Sequence, residues 1–554
     1  MTHHYTVLHG GTILTLDGAW PTDAASRAVG DPGVPDAAGR RATAICYAND
    51  RILAVGDDAQ ILALAGSDSH VVDLRGRAVL PGFVEPHAHP YWEGFVSGMR
   101  LLAGRERRAA LKALPGGAER LEPDTWLVGR YDPTGWDRPD DPTRDDLDRA
   151  VPDRPVLLAH VSGHAVSANS LALALAGIGR GTPDIPGRSA IERDETGEPT
   201  GILRGPDAWD RVASAMPVPT AAEGQAALAR GAARLAADGV TSVADADLGS
   251  TAGVTVELAA WGAAIASGAM PLAVALMPGL VRLAPESGDP VPTPAEIAAR
   301  LPAAVRDRVR LTHLKLKADG ALTTHTAWLR APYDDAPHAG GPVHDPSVLA
   351  DRVRGAIAAG WAVATHAIGD AAVGAVLAAY AAAPTPRHPH RVEHAMLVDE
   401  DLVARLAASG ATAVVQPEFL AWAGATYRAR LGEERASRLL PFAALLGAGI
   451  PMPFSSDRPV VPGAPLDGVR AALRHDLNLS VAEALHAWTA AGAAALSDDD
   501  AGRLEVGRRS DLAVLSRDPT AAPAGAWARR DDGITVVATI AAGRLVAGRL
   551  EGLA

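Results

Sequence analysis

Short apolar runs separated by long alanine- and leucine-rich stretches dominate the middle of the chain. Phe83-Val84, Val240–Ala244, Leu272–Leu276, Leu311–Leu316, Ala362–His366, Arg391–His394, Ala413–Gln416 and Met452–Asp457 have the length and apolar content of buried strands. Helical patterns lie between most of them, as at 221–237, 347–359 and 370–382. Eight strand–helix units in series predict an α/β fold, a (β/α)8 TIM-like barrel, whose active site lies at the carboxyl ends of its strands. Polar residues fall at those ends.

Both termini have a different texture. Thr6–His9 and Thr12–Thr15 flank Gly10-Gly11, and Ala44–Tyr47 and Arg51–Val55 flank Asn49-Asp50, two hairpin signals. Residues 17–42 between them read as a flexible loop. Ser510–Leu515, Thr535–Ile540 and Gly543–Val546 are strand-like again. A small β-sandwich domain is therefore expected from residues 1–80 and 505–554, around a barrel over 81–504. Residues 92–218 form an insertion after the first barrel strand, with strand-like Trp126–Gly129 and Pro155–Leu158, and are expected to cap one rim.

Composition narrows the classes. The 554 residues are 48% hydrophobic and 21% charged, as in a soluble globular protein. A net charge of −13 argues against nucleic acid or an anionic membrane surface as the main partner, leaving a small-molecule substrate. Cys46 is the single cysteine, so no internal disulfide or cysteine-rich metal site forms. Met1–Tyr5 carries no secretory pattern and no apolar run reaches the roughly 18 residues of a membrane span. The expected location is the cytoplasm, and a homodimer is allowed.

The chemistry begins at Leu80-Pro81-Gly82-Phe83-Val84-Glu85-Pro86-His87-Ala88-His89. Residues two apart on a strand point the same way, so His87 and His89 can grip one metal ion. A pair of surface histidines in a turn is the plainer alternative. The later runs add Lys315, His366, His394 and Asp457 in order. With Lys315-Leu316-Lys317-Ala318-Asp319-Gly320, His366-Ala367-Ile368-Gly369-Asp370, Arg391-Val392-Glu393-His394-Ala395, Gly163-His164-Ala165 and Gly502–Gly507, the chain resembles the amidohydrolase superfamily, in the branch of N-substituted formamide deformylase.

That resemblance implies the metal ligands His87, His89, Lys315, His366, His394 and Asp457. It implies two divalent ions, zinc being the first choice, bridged by a Lys315 carbamylated with carbon dioxide. Asp457 would serve as base and then acid, and His164 would meet the substrate carbonyl or merely cap a helix. Lys315 could instead pair with Asp319, and His366 and His394 could be satisfied core histidines. Asp370 and Glu393 stand beside ligand histidines and could orient them; Asp370 could equally begin the next helix. The chain departs from the family pattern in Glu85 for aspartate, Gly205 for glutamate, Lys317 for an aromatic and Arg458 for tryptophan. Lys317 and Arg458 are candidate substrate readers, with pairing to Asp319, Asp370 or Glu418 as the alternative. The expected activity is hydrolysis of a non-peptide carbon–nitrogen bond in an amide, N-substituted formamide or cyclic amide. A deaminase, a lactone or ester hydrolase, and a non-catalytic assembly relative are the alternatives; the intact ligand set speaks against the last.

Overall fold

The computed structural model describes residues 5–18, 39–104, 106–114, 125–133, 136–138, 140–161, 165–185, 190–205, 208–475, 479–521, 527 and 533–551. Contacts divide the chain into two compact units, Met1–Gly94 with Thr220–Ala554, and Phe95–Pro219.

Seven parallel strands organise the first unit. They are β1 (Phe83–Ala88), β2 (Val240–Leu248), β3 (Ala273–Pro278), β4 (His313–Lys317), β5 (Ala362–Ala367), β6 (Arg391–His394) and β7 (Thr412–Val414). One sheet runs β1-β2-β3 and ends on the two-residue strand Val309–Arg310; the other runs β4-β5-β6-β7. A parallel bridge between Gly279 and Lys315 links them. β1 and β2 are buried along their whole length, which explains their apolar runs and the absence of polar alternation. Small side chains, among them Ala244, Ala246, Ala275 and Ala364, pack with Val84, Met277 and Leu496 in one cluster.

The eighth run does not form a regular strand. Met452–Asp457 is tied to β7 by one bridge, Val415 to Phe454, and by the amides of Ala413 and Val415 donating to Pro451 and Pro453. Prolines at 451 and 453 bring carbonyls to the ladder but no N–H, which breaks the regular pattern. On its other side the Asp457 amide donates to the His87 carbonyl at 2.9 Å.

Register places the strand ends level. Lys315 pairs with Ala364, Lys317 with His366, His366 with Glu393, and Ala367 with His394. The helices that return the chain begin on good caps. Thr220 caps Ala221–Ala237 through a reciprocal box with Glu223, and Asp345 caps Pro346–Ala358.

The terminal segments supply two further sheets. One orders Arg51–Gly56, Ala44–Ala48, Thr6–His9 and His70–Asp73; the other orders Arg544–Gly548, Val536–Ala541, Leu512–Leu515, Ala78–Pro81, Thr12–Leu14 and Arg41–Ala42. Leu8, Ile45, Val79, Leu512 and Ile540 share one apolar cluster, so both ends of the chain build one core. Most of the expected loop at 17–42 lies outside the described residues.

The second unit has a six-stranded mixed sheet in which Leu127–Tyr131 and Val156–His160 are interior, adjacent and parallel. Leu158 and Leu157 enter separate apolar clusters, as alternation along a strand requires. Among the described residues no helix is long and apolar enough to cross a membrane.

Candidate functional site

β1 delivers His87 and His89, β4 delivers Lys315, β5 His366, β6 His394, and the Met452–Asp457 segment Asp457. The ligand atoms of His87, His394 and Asp457 lie within 4.8 Å of one another, and all three residues are buried. His87 Nε2 is 3.4 Å and His89 Nε2 3.1 Å from Asp457 Oδ1. Lys315 Nζ is 3.2 Å from His87 Nε2. The His366 and His394 rings sit 4.4 Å apart between centroids, and those of His87 and His394 5.0 Å.

Three of the four imidazoles spend one nitrogen on the protein. His87 Nδ1 donates to Glu393 Oε2, His394 Nδ1 to Gln416 Oε1 at 2.8 Å, and His366 Nε2 to the Gly320 carbonyl at 3.0 Å. Those bonds fix the tautomers and leave lone pairs on His394 Nε2, His366 Nδ1 and His87 Nε2, the last facing Lys315 Nζ. Glu393 is itself locked by Arg391, whose guanidinium also donates to the Pro86 carbonyl at 2.9 Å.

Burial sets the charges. It pushes His394 down to about 3 and His366 well below the usual imidazole range, so both are neutral donors at ordinary pH. It lowers Lys315 as well, favouring the free amine. Burial alone would raise Asp457 and Glu393. His87, with a hydrogen bond from His89, holds Asp457 well below the carboxylate range, and Arg391 with His87 does so for Glu393. Neutral imidazoles and a buried carboxylate are the donor set of a divalent transition metal. The residues present fit such an ion.

A family model for amidohydrolases matches residues 70–547. The chain belongs to the amidohydrolase family. YtcJ of Bacillus subtilis, a protein named as an amidohydrolase, is 32% identical over 502 residues, covering 87% of this chain and 92% of that protein. N-substituted formamide deformylase of Arthrobacter pascens is 27% identical over 533 residues, covering 87% and 92%. A crystal structure of an uncharacterized metal-dependent hydrolase from Pyrococcus furiosus has a TM-score of 0.71 at 26% identity, covering 93% of this chain and all of that one.

The amidohydrolase site departs from several expectations. Lys315 does not pair with Asp319. That carboxylate instead accepts the amides of Trp328, Ile368 and Gly369 at 2.8–3.0 Å, pinning the loops that follow β4 and β5. Glu393 orients His87 on another strand rather than its neighbour His394. Asp370 is the first residue of the helix Asp370–Ala381 and accepts the Arg330 amide at 2.8 Å. Glu85, pushed up to about 7 by burial, accepts the His87 and Ser456 amides and the Ser456 hydroxyl. It therefore staples β1 to the eighth segment.

Arg458 pairs with none of Asp319, Asp370 and Glu418. It is 3% exposed and its guanidinium pairs with Asp238 at 2.9 Å. Lys317 is half exposed and pairs with Asp247 at 3.0 Å, not with Asp319, Asp370 or Glu418. His164 lies outside the described residues. Sequence reasoning missed Gln416, Arg391 and Ser456, which bond candidate ligands or neighbours of candidate ligands, and Asp247. Asp247 had a signal: Asp245 and Asp247 repeat, at the end of β2, the i, i+2 spacing of His87 and His89.

Proposed function

We propose that this amidohydrolase cleaves a non-peptide carbon–nitrogen bond, in an amide, N-substituted formamide or cyclic amide, by attack of an activated water. The observation that carries the reading is the buried convergence of His87, His394 and Asp457 at the strand ends, with Lys315 beside His87. The name of the Arthrobacter relative supports the choice of bond. In this reading the two parallel sheets and the Met452–Asp457 segment make a (β/α)8 barrel, and the terminal sheets a β-sandwich.

His87, His89, His366, His394 and Asp457 would hold two divalent ions, zinc for preference, with Lys315 joining as its carbamate. The neutral amine that burial favours is the form that reacts with carbon dioxide. When bound, such ions supply Lewis acidity and lower the pKa of water. Asp457, kept anionic, takes the proton of the attacking water and returns it to the leaving nitrogen. Glu393 and Gln416 hold His87 and His394 in the tautomers that this needs.

Elemental analysis of the purified protein should find about two divalent ions per chain, and a gently ionised intact mass should carry one carbon dioxide adduct, absent in Lys315→Ala. Asp457→Asn should lower turnover of an N-substituted formamide by about 10²–10⁴-fold. A metal-free protein that still turns over, or an Asp457→Asn variant at parental rate, would overturn the reading.

A further inference from the structure

The ends of β2, β3 and β4 gather charges beside the metal ligands that the hydrolytic chemistry does not use. Asp247, at the end of β2, is 4% exposed. Lys317 reaches it from β4 at 3.0 Å, and Arg282, on the short helix Leu280–Leu283 after β3, approaches it at 3.7 Å. The two cations are themselves open, with side chains 50% and 36% exposed. Close backbone approach makes room for them. A Cβ on Gly279 would fall 2.8 Å from Asp247 Oδ1 and 3.2 Å from the Arg282 stem, and one on Gly249 3.1 Å from that stem.

The cluster is adjacent to the chemistry. Gly279 bridges to Lys315, and Lys317 is the register partner of His366. Lys317 lies within electrostatic reach of Lys315 and His366, and Asp247 within that of His89. Among the described residues one buried carboxylate pairs with both of these partly exposed cations, so the trio carries one net positive charge. The second, an arginine with donors beyond the one facing Asp247, offers the fork that matches a carboxylate.

We propose that Lys317 and Arg282, oriented by Asp247, dock an anionic group of the substrate, a carboxylate on the amine portion next to the scissile bond. This rests on the carbon–nitrogen hydrolase reading and adds the substrate class: N-acyl or N-formyl amino acids over neutral amides. Asp247 is a positioning residue; Lys317 and Arg282 touch the ligand.

The test uses the metal-loaded protein and one matched pair, N-formyl-leucine and N-formyl-leucinamide. The acid should exceed the amide at least 10-fold in kcat/KM. That ratio should fall toward one in Lys317→Met and in Arg282→Met, mainly through the KM of the acid. Asp247→Asn should lower the ratio while leaving both cations present, and added salt should compress it. If neither compound is cleaved, the bond assignment fails, and the docking site is then judged by calorimetric binding of the same two compounds. Equal use or equal binding of acid and amide, no binding of the acid, or a preference that survives the Lys317→Met/Arg282→Met double variant would overturn the proposal.

Discussion

A single side chain, Glu393, shows how residue chemistry shapes the site. It is fully buried, held by Arg391, and hands its charge to His87 across the interior. Partners of this kind typically contribute 10–100-fold to metal affinity, so Glu393→Gln should weaken metal retention by that factor in a chelator competition. His313 makes a different contribution. It is buried, bonds the Pro389 carbonyl at 2.9 Å, and burial pushes it from the ordinary 6.5 down to about 3. The unfolded chain protonates this imidazole near 6.5 while the folded one resists until about 3, so stability is lost as pH falls through that window. The slope approaches about 1.4 kcal/mol per pH unit. Thermal melts from pH 7 to pH 4 should show a steeper fall in the parent than in His313→Gln. The clustered His87, His394 and Asp457 were legible in the sequence because each stands at or just past the end of an apolar run. Glu393, Gln416 and Ser456 were visible as residues, but their partners sit on other strands, and a linear pattern carries no cross-strand pairing.

At the scale of elements, the helices were legible to within a residue or so, since alanine-rich periodic stretches bounded by Thr220 or Asp345 leave little freedom. The eighth strand was not. Its apolar content suggested a regular ladder, and the missing N–H groups of Pro451 and Pro453 prevented one. β2 was read too short because Asp245 and Asp247 interrupt its apolar run, although burial continues to Leu248. Close packing also fixes the segment that follows His89. A Cβ on Gly94 would lie 1.8 Å from the Ala227 carbonyl, and one on Gly231 2.5 Å from the Pro90 carbonyl. The first turns of Pro90–Gly98 therefore rest directly on the helix Ala221–Ala237. Gly94→Ala should destabilise the fold by about 1–3 kcal/mol through overpacking, and should reduce metal content by shifting His89. Denaturant melts and elemental analysis on the same preparation check both.

Across the whole molecule, the C-terminal segment is fastened to the strand-rich body by buried charge. Asp498 accepts from Arg310 at 2.6 Å and from Arg509 at 2.9 Å, while Arg509 also pairs with Asp511 at 2.6 Å and donates to the Ser242 hydroxyl at 3.1 Å. Asp498→Asn leaves Arg310 without its carboxylate and Arg509 with Asp511 alone, and should cost about 1.5–3 kcal/mol in chemical denaturation. The staple between Glu85 and Ser456 joins residues 371 positions apart. On a ribosome adding roughly 5–20 residues per second, the first histidines wait on the order of twenty to seventy seconds for the carboxylate they will face. Metal captured in that interval would meet an open pair of imidazoles and exchange freely. If the site holds the ions proposed for it, selection among them would wait for the finished chain, when the last-made segment docks beside the first, and a cell that starves the protein of metal during synthesis should be able to load it afterwards.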